Sequence, residues 1–189
     1  MISSTKTQLQ IALLLSPTFD KQSFVGCEIG VWGGLTSKII LCSFPGLFLY
    51  MIDPWKSEGT LRSLNRFRSQ KRMDDVMGEA IKTTKFAQNR RQIIRKTSLS
   101  ALDDFDDLFF DFVFVDGDHT YEGVKDDMRW WSKVKNGGIF FGHDYDGRHE
   151  KRKTWGVKKS VDEFAEENGL TVNLHPHLLW SIFKTKESL

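Results

Sequence analysis

The sequence predicts a single-domain, Rossmann-like α/β fold, in which a doubly wound, mostly parallel sheet ends in an antiparallel hairpin. Three observations predict it. Short continuous apolar runs alternate with helical segments, a glycine-rich turn follows the first run, and ionisable side chains follow several others. Continuous apolar runs are typical of strands buried on both faces, because a sheet with one wet face alternates polar and apolar residues. A length of 189 residues suits one domain, predicted to span 1–189.

The first half of the chain is predicted to alternate helices and strands. Residues 1–22 are predicted to form a helical segment ahead of the sheet. The predicted strands, each a short apolar run, cover 24–29, 47–52 and 92–95. The predicted helices between them cover 35–43 and 73–87, the second within an insert, 56–90, that follows the second strand. Asp53-Pro54 ends that strand, because proline cannot donate a ladder hydrogen bond.

The second half of the chain adds two more strands and a terminal hairpin. Its predicted strands cover 109–115 and 138–141, and its predicted helices cover 98–103, 123–135 and 157–168. Gly169 follows the last helix as a C-terminal stop. Two further predicted strands, 170–174 and 178–184, are separated only by the segment 175–177. So short a link permits an antiparallel hairpin but no parallel crossover.

Composition excludes several classes of protein. The 27 Lys and Arg against 25 Asp and Glu leave a net charge of +2, which favours neither a disordered chain nor a general binder of polyanions. Cys27 and Cys42 are too few for a disulfide scaffold or a zinc cluster. No run reaches the roughly 18 apolar residues of a membrane-spanning helix, and the N-terminus lacks a signal-peptide pattern. We therefore expect a soluble, cytoplasmic domain without a membrane partner.

Two stretches of the chain are locally basic. Residues 56–72 and 148–159 each carry six Lys or Arg against one Glu. Both follow the carboxyl end of a predicted strand, so they could rim one crevice and suit an acidic acceptor, such as a phosphorylated or carboxylated sugar, or RNA. The ordinary alternative is that both are solvated loops.

The segment from Glu28 to Thr36 joins the first strand to the helix that follows it. Its glycines allow the backbone to approach a ligand closely, and Thr36 offers a hydroxyl in the first helical turn. Glu28 ends an apolar strand, a costly position for a carboxylate unless it meets a cation or hydrogen-bond donors. Asp53 ends the second strand, where an acid can accept both hydroxyls of a ribose. Both acids also have structural alternatives. Glu28 could form a salt bridge at the strand end, and Asp53 could serve only to form the turn before Pro54.

Ionisable side chains also follow the fourth and fifth strands. Asp116, Asp118 and His119 come after the fourth strand, and His143 and Asp144 come after the fifth. In an open α/β sheet the carboxyl ends of the strands form the ligand crevice, and neighbouring strands lie about 4.8 Å apart. Asp116, His143 and Asp144 could therefore converge and either bind a divalent cation or share protons. A hydrogen-bonded network at the strand ends is the structural alternative.

Residues 28–36 follow the pattern Glu-x-Gly-x-Trp-x-Gly-x-Thr, which resembles the class I S-adenosylmethionine-dependent methyltransferases, in particular the catechol-type and the macrolide or aminocoumarin sugar O-methyltransferases. Segments 53–55, 116–126 and 137–145 share this resemblance. It implies S-adenosylmethionine as cofactor. The implied contacts at the methionine end are Glu28 and Thr36, and Asp53 is implied at the ribose. Trp55 or Ser98 is implied near the adenine. Gly30, Trp32 and Gly34 in the turn and Asp116 after the fourth strand complete the implied cofactor site. Trp32 stands where many members have glycine.

The resemblance also implies a cation and a base. In the related O-methyltransferases an Asp after the fourth strand and an acidic pair after the fifth hold a Mg²⁺-like ion, and here these positions carry Asp116, His143 and Asp144. Magnesium prefers oxygen ligands, so Mg²⁺, Mn²⁺, another transition ion and a metal-free site all stay open. The first choice for the general base is His119, because its ordinary pKa of about 6.5 suits neutral pH. Asp118 and His143 are the alternative candidates for the base. The structural alternative is that His119 only caps the helix that follows it.

Three functions remain open from the sequence. The leading interpretation is an O-methyltransferase acting on a small hydroxylated acceptor, a sugar or a natural-product intermediate. A nucleic-acid methyltransferase using the basic stretches is the second, although no Asn-Pro-Pro-Tyr motif is present. A dinucleotide- or nucleoside-binding module without catalysis is the third, and it leaves the ionisable side chains after the fourth and fifth strands unexplained. Trp130, Trp131 and Trp155 are predicted to be exposed, which would suit a homo-oligomer interface.

Overall fold

One sheet organises the computed structural model, which describes residues 2–16, 23–57, 69–145 and 155–185. Its strands are β1 Phe24–Ile29, β2 Leu47–Ile52, β3 Arg91–Ile94, β4 Phe110–Val115, β5 Val134–Gly142, β6 Asn173–His175 and β7 Leu179–Phe183. Their order across the sheet is β3-β2-β1-β4-β5-β7-β6. The chain therefore builds the sheet outward in two directions from β1, and the step from β1 to β4 is the place where such sheets form a ligand crevice.

Strand direction agrees with the predicted fold. β1 pairs in parallel with β2 and β4, while β3 and β5 add parallel strands outside them. β7 pairs antiparallel with both β5 and β6. The predicted doubly wound parallel sheet with a terminal antiparallel hairpin is confirmed.

Helices cover both faces of the sheet. They are α1 Ile2–Leu15, α2 Leu35–Ser43, α3 Gln70–Thr83, α4 Ser98–Ala101, α5 Tyr121–Asp127 and α6 Val157–Glu167. The first three share one apolar core with Phe112 and Phe114, and the last three share a second core with Val113 and Phe140. Every residue of β4 is buried, which explains the continuous apolar run from Phe112 to Val115. Asp111, the one charged residue of the strand, accepts hydrogen bonds from the Val25 N–H and from Lys135. None of the helices in the described ranges has the length and apolar character needed to cross a bilayer.

Several predicted boundaries are wrong. The fifth strand begins at Val134 and not at residue 138, and the helices predicted over 73–87 and 98–103 end as α-helices at Thr83 and Ala101, each followed by a 3-10 segment. The helix predicted over 123–135 ends as an α-helix at Asp127 and continues as a 3-10 segment to Lys133, because Val134 already pairs with Phe110. The strand predicted over 170–174 begins only at Asn173, because the Leu170 N–H instead donates to a carbonyl of α6. The insert predicted over 56–90 lies partly outside the described residues, and its described part contains α3 and a 3-10 segment, Lys85–Arg90.

Trp130, predicted to be exposed, is fully buried. Its Nε1–H donates to Ser98 Oγ at 2.8 Å, and its ring packs into the second core. The prediction is wrong because the 3-10 segment Met128–Lys133 directs this ring inward. Trp131 and Trp155 are half-buried, so the apolar surface predicted for an oligomer interface is smaller than the sequence suggested.

The packing of Gly26 against Phe112 can be tested by mutation. A Cβ on Gly26 would lie 2.1 Å from the Phe112 ring. Gly26→Ala is expected to lower the free energy of unfolding by about 1–3 kcal/mol, because the ring must shift within a packed core. Gly78→Ala in α3 is the matched control, since nothing lies within 4 Å of its Cβ and alanine favours a helix by up to about 1 kcal/mol. Urea denaturation measures both, and equal stabilities would contradict this packing.

Candidate active site

A cavity of about 1040 Å³ opens where β1, β2 and β4 end. Its position is the switch point of the sheet, as expected for a ligand site in this architecture. Eight of the residues predicted for the site line it: Gly30, Trp32, Thr36, Asp53, Ser98, Asp116, Asp118 and His119. Its size is that of a pocket for a ligand as large as a nucleoside with a side chain.

Two glycines shape the turn after β1. Gly30 has a φ of 90°, and a Cβ there would lie 2.3 Å from the carbonyl oxygen of Asp116. Gly34 has a φ of 76° and packs against Ala80 of α3, outside the cavity lining. The turn therefore approaches β4 and α3 more closely than a side chain would allow.

Asp53 links the end of β2 to this turn. Its Oδ2 accepts the N–H of Trp32 at 2.9 Å, and its Oδ1 accepts the N–H of Trp55 at 2.8 Å. Burial raises the pKa of Asp53, although these N–H groups act in the opposite direction. Trp55 is fully buried in the first core and does not line the cavity, and its Nε1–H donates to the carbonyl of Trp32 at 3.0 Å. The Trp55 side chain thus supports the turn from the side of the first core, opposite the cavity.

Trp32 is held in a backbone conformation that is unusual for a large side chain. Its φ is 53°, in the left-handed region. Two hydrogen bonds hold this conformation. The N–H of Trp32 donates to Asp53, and the carbonyl of Trp32 accepts from Trp55 Nε1–H. The residue is 40% exposed and lines the cavity together with Leu35, so an aromatic ring and an aliphatic side chain form an apolar part of the lining.

Glu28 and Thr36 occupy different places around the turn. Thr36 lines the cavity, where its Oγ1 accepts a hydrogen bond from Gln8 of α1 at 3.5 Å. Glu28 is only 1% exposed, lies outside the cavity lining and accepts a hydrogen bond from Ser37 Oγ. Burial, with the negative charges of Asp116 and Asp53, raises the pKa of Glu28 to about 8, although Ser37 acts in the opposite direction. Glu28 is therefore mostly protonated at neutral pH.

Two aspartates and two histidines meet at one edge of the cavity. His119 Nε2 lies 2.9 Å from Asp144 Oδ2 and 3.4 Å from Asp116 Oδ1. His143 Nδ1 lies 3.3 Å from Asp144 Oδ2 and 3.7 Å from Asp116 Oδ1. One ligand atom each from Asp116, His143 and Asp144 lies within 4.8 Å of the others. The ends of β4 and β5 therefore converge on one point, as predicted.

The carboxylates control the proton affinity of both histidines. Burial lowers the pKa of His119, but the close contacts and negative charges of Asp116 and Asp144 outweigh it and raise the pKa to about 10. The pKa of His143 is also raised against burial by the same two carboxylates. The histidines in turn hold the pKa of Asp144 below its ordinary value, despite burial. At neutral pH the His119 ring is thus a cation that balances the two carboxylates.

The three residues predicted as candidate bases differ in what surrounds them. His119 lines the cavity, stacks on Trp155 with ring centres 4.6 Å apart, and has no well-oriented hydrogen bond at either ring nitrogen within the described structure. Asp118 also lines the cavity, but its Oδ1 accepts the N–H of Thr120 at 3.0 Å, next to the start of α5. His143 lies outside the cavity lining.

Sequence reasoning missed Asp127, which lines the cavity although it is only 3% exposed. Burial, reinforced by the charges of Asp118 and Asp126, raises its pKa to about 7 against the effect of Ser98. The signal was the helical spacing of Val124 and Met128, which marks the inward face of this segment. Gln8 of α1 and Glu79 of α3 also line the cavity, and nothing in their local sequence indicates it.

Most of the two basic stretches, 56–72 and 148–159, lies outside the described residues. The described lining of the cavity contains no lysine or arginine. A role of these stretches as a basic rim therefore stays a prediction.

Comparison with known proteins identifies a family. A family model described as a methyltransferase domain matches residues 27–145, more than half of the chain. None of the curated proteins compared matches the sequence.

Solved structures share the fold. A Corynebacterium glutamicum protein is 16% identical, with a TM-score of 0.67 over 97% of this chain and 82% of that chain. The O-methyltransferase NovP is 16% identical, with a TM-score of 0.67 over 98% and 81%. The Podospora anserina methyltransferase PaMTH1, solved with S-adenosylhomocysteine, is 15% identical, with a TM-score of 0.64 over 92% and 77%. At these identities the likeness establishes the fold.

The buried acid Glu28 predicts a specific pH dependence of stability. Its folded pKa of about 8 exceeds the ordinary 4.5, so the folded chain binds this proton more tightly, and that stabilisation is lost as pH rises from about 4.5 to about 8. Glu28→Gln keeps the acceptor for Ser37 and cannot ionise. Between about pH 5 and about pH 8.5 the variant is expected to lose about 2–4 kcal/mol less stability than the wild type.

Urea denaturation at the two pH values measures this difference. Glu166→Gln, at an exposed position on α6, is the matched control and should behave like the wild type. Equal losses in the wild type and Glu28→Gln would show that Glu28 does not hold a proton in the folded chain.

Proposed function

This chain belongs to the methyltransferase domain family whose model matches residues 27–145, and from that premise we propose that it transfers the methyl group of S-adenosylmethionine to a hydroxyl oxygen of a small acceptor, assisted by a divalent cation. One observation carries the proposal: Asp116, His119, His143 and Asp144 meet at the edge of a cavity that Asp53 also lines. Methyl transfer to oxygen needs a site that aligns donor and acceptor, and a group that takes up a proton.

The lining of the cavity favours a cationic nucleoside. Asp53 is assigned to the ribose hydroxyls, Ser98 to the adenine side, and Thr36 to the methionine end, because all three line the cavity at different strand and helix ends. Glu28 does not line the cavity, so it is assigned an indirect role at the methionine end: it accepts a hydrogen bond from Ser37 and lies behind the glycine turn. A dinucleotide or a nucleic acid would bring phosphates, whose negative charge is repelled by the carboxylates that line this cavity.

Methyl transfer to oxygen does not require a covalent bond between the protein and the substrate. S-adenosylmethionine supplies a methyl carbon on a positively charged sulfur, which is a good leaving group. The acceptor oxygen bonds to that carbon as the carbon–sulfur bond breaks, and the hydroxyl proton leaves the oxygen. The residues around the cavity hold the reacting atoms in line and limit access of water.

Proton uptake is assigned to Nε2 of His119. This nitrogen faces the cluster, and His119 is the candidate base that lines the cavity without an oriented hydrogen-bond partner among the described residues. Asp118 is occupied by the N–H of Thr120, and His143 lies outside the lining. Because Asp116 and Asp144 keep the His119 ring protonated, the neutral form that accepts a proton is favoured when a cation binds these carboxylates.

The residues present fit a divalent cation. Asp116, His143 and Asp144 would hold it, since their ligand atoms lie within 4.8 Å of one another, a span that ligands around one ion can occupy. Two oxygens and one imidazole nitrogen favour Mn²⁺ or another transition ion over Mg²⁺. Such a cation would supply positive charge that lowers the pKa of an acceptor hydroxyl.

The proposed cation and one structural relative both favour a small hydroxylated acceptor. A cation bound at Asp116, His143 and Asp144 would favour oxygen groups of the acceptor over apolar ones. NovP, which shares this fold, is an O-methyltransferase. A sugar or a hydroxylated natural-product intermediate meets both conditions.

Ligand-induced stabilisation tests the choice of cofactor. At about 100 times its dissociation constant, S-adenosylmethionine should raise the free energy of unfolding by about 2.7 kcal/mol, whereas NAD should not raise it. Asp53→Asn should weaken S-adenosylmethionine binding about tenfold or more, because an amide replaces a charged acceptor of the ribose hydroxyls. Asp106→Asn, at an exposed site outside the cavity, is the matched control. Stabilisation by NAD alone would overturn the proposal.

Cation dependence tests the catalytic edge. Formation of S-adenosylhomocysteine with a panel of small sugars and catechols should fall on addition of EDTA and recover with Mn²⁺ more than with Mg²⁺. Asp144→Asn should abolish this recovery. His119→Gln should lower kcat by about 10²–10⁴-fold while the Kd of S-adenosylmethionine stays unchanged. A wild-type rate that EDTA leaves intact would rule out the cation, and an active His119→Gln would rule out the base.

A further inference from the structure

The cavity is lined by more negative charge than the proposed chemistry uses. Seven of its lining residues are carboxylic acids: Asp53, Glu79, Asp116, Asp118, Glu122, Asp126 and Asp127. The described lining has no lysine or arginine, and its one titratable base is His119. The cofactor and cation roles proposed above use Asp53 and Asp116, so most of this charge has no assigned role.

Three of these acids are exposed side chains for which the described structure shows no ion pair. Glu122 and Asp126 lie one helical turn apart on α5, and both line the cavity. Glu79 of α3 lies over the glycine turn, where a Cβ on Gly33 would be 3.3 Å from the Glu79 carboxyl carbon. The acids therefore flank the cavity from two separate helices.

Independent features mark the same cavity as a ligand site. His119 lines it, is 9% exposed, and has no well-oriented hydrogen bond at either ring nitrogen within the described residues. Trp32 also lines it, in a left-handed backbone conformation that two hydrogen bonds maintain. A buried polar ring without an oriented partner and a strained aromatic residue are both typical of functional sites.

We infer that Glu79, Glu122 and Asp126 select the charged methyl donor over its product, so that the site binds S-adenosylmethionine tightly and releases S-adenosylhomocysteine easily. This inference rests on the proposed function of the cavity. The donor carries one more positive charge than the product, because the sulfonium becomes a neutral thioether when the methyl group leaves. Carboxylates around the cavity attract that charge and contribute nothing comparable once it is gone.

The interaction is long-range and additive. Each carboxylate at the cavity surface acts on the sulfonium through water and protein, so each contributes modestly and several together decide the preference. Exposed charges are screened by salt, and the preference should therefore shrink as ionic strength rises. Trp32 can add to the preference, since the face of an indole ring attracts cations.

Calorimetric binding of S-adenosylmethionine and S-adenosylhomocysteine tests the inference. The titrations contain EDTA, so that no cation at Asp116 and Asp144 contributes. The wild type is expected to bind the donor about tenfold more tightly than the product at about 20 mM salt, and only about threefold more tightly at about 500 mM. The variant Glu79→Gln/Glu122→Gln/Asp126→Asn should lose about fivefold of the low-salt preference.

A matched variant separates local charge from net charge. Asp103→Asn/Asp106→Asn/Glu167→Gln removes three exposed carboxylates that do not line the cavity, so it changes the net charge equally. It should keep the wild-type preference.

The outcomes separate this inference from the proposed function. Equal binding of both ligands by the wild type, or equal preference in the two triple variants, would overturn the selection by charge and leave the cofactor assignment intact. Failure of the wild type to bind either ligand would overturn both.

Discussion

The close approach of Gly30 to Asp116 is the constraint on which the rest of the site depends. The N–H of Asp116 donates to the carbonyl of Ile29 at 2.8 Å, and the N–H of Gly30 donates to the carbonyl of Ile52 at 2.9 Å. These bonds join the turn after β1 to the ends of both neighbouring strands. Because Gly30 has no Cβ, the turn can rest against the Asp116 backbone. One backbone arrangement therefore brings the glycine turn proposed to bind the cofactor and the strand ends proposed to bind a cation into a single crevice.

The buried carboxylic acids in and behind this crevice oppose folding when they are charged, and they favour a positively charged ligand. Burial raises the pKa values of Glu28, Asp53 and Asp127, which means that their charged forms are disfavoured in the folded chain. Lysine or arginine partners would relieve this cost, but the described cavity lining contains none. The positively charged cofactor proposed for this cavity would relieve it instead. On that proposal the site sacrifices some stability for binding, as is common where function and folding make different demands.

The architecture was predictable because strand burial leaves a strong local signal. β4 is buried on both faces, so its run from Phe112 to Val115 is entirely apolar, and the short link before β7 permits only a hairpin. The errors occurred where a distant partner decides the local structure. Val134 is a strand residue because it pairs with Phe110, and Trp130 is buried because a 3-10 segment turns it toward Ser98. Neither partner can be identified from the neighbouring residues in the sequence.

The sequence by itself determined the order of strands and helices, the glycine turn, and the presence of acids and histidines at the ends of β4 and β5. Those features depend on local composition and on hydrophobic periodicity. Only the tertiary structure decided which side chains reach the cavity: Glu28 lies behind the turn with Ser37, while Asp127 and Glu79 line the cavity. The physical reason is that a side chain's surroundings depend on strand register and on the rotation of packed helices, which are set by contacts between residues far apart in the chain.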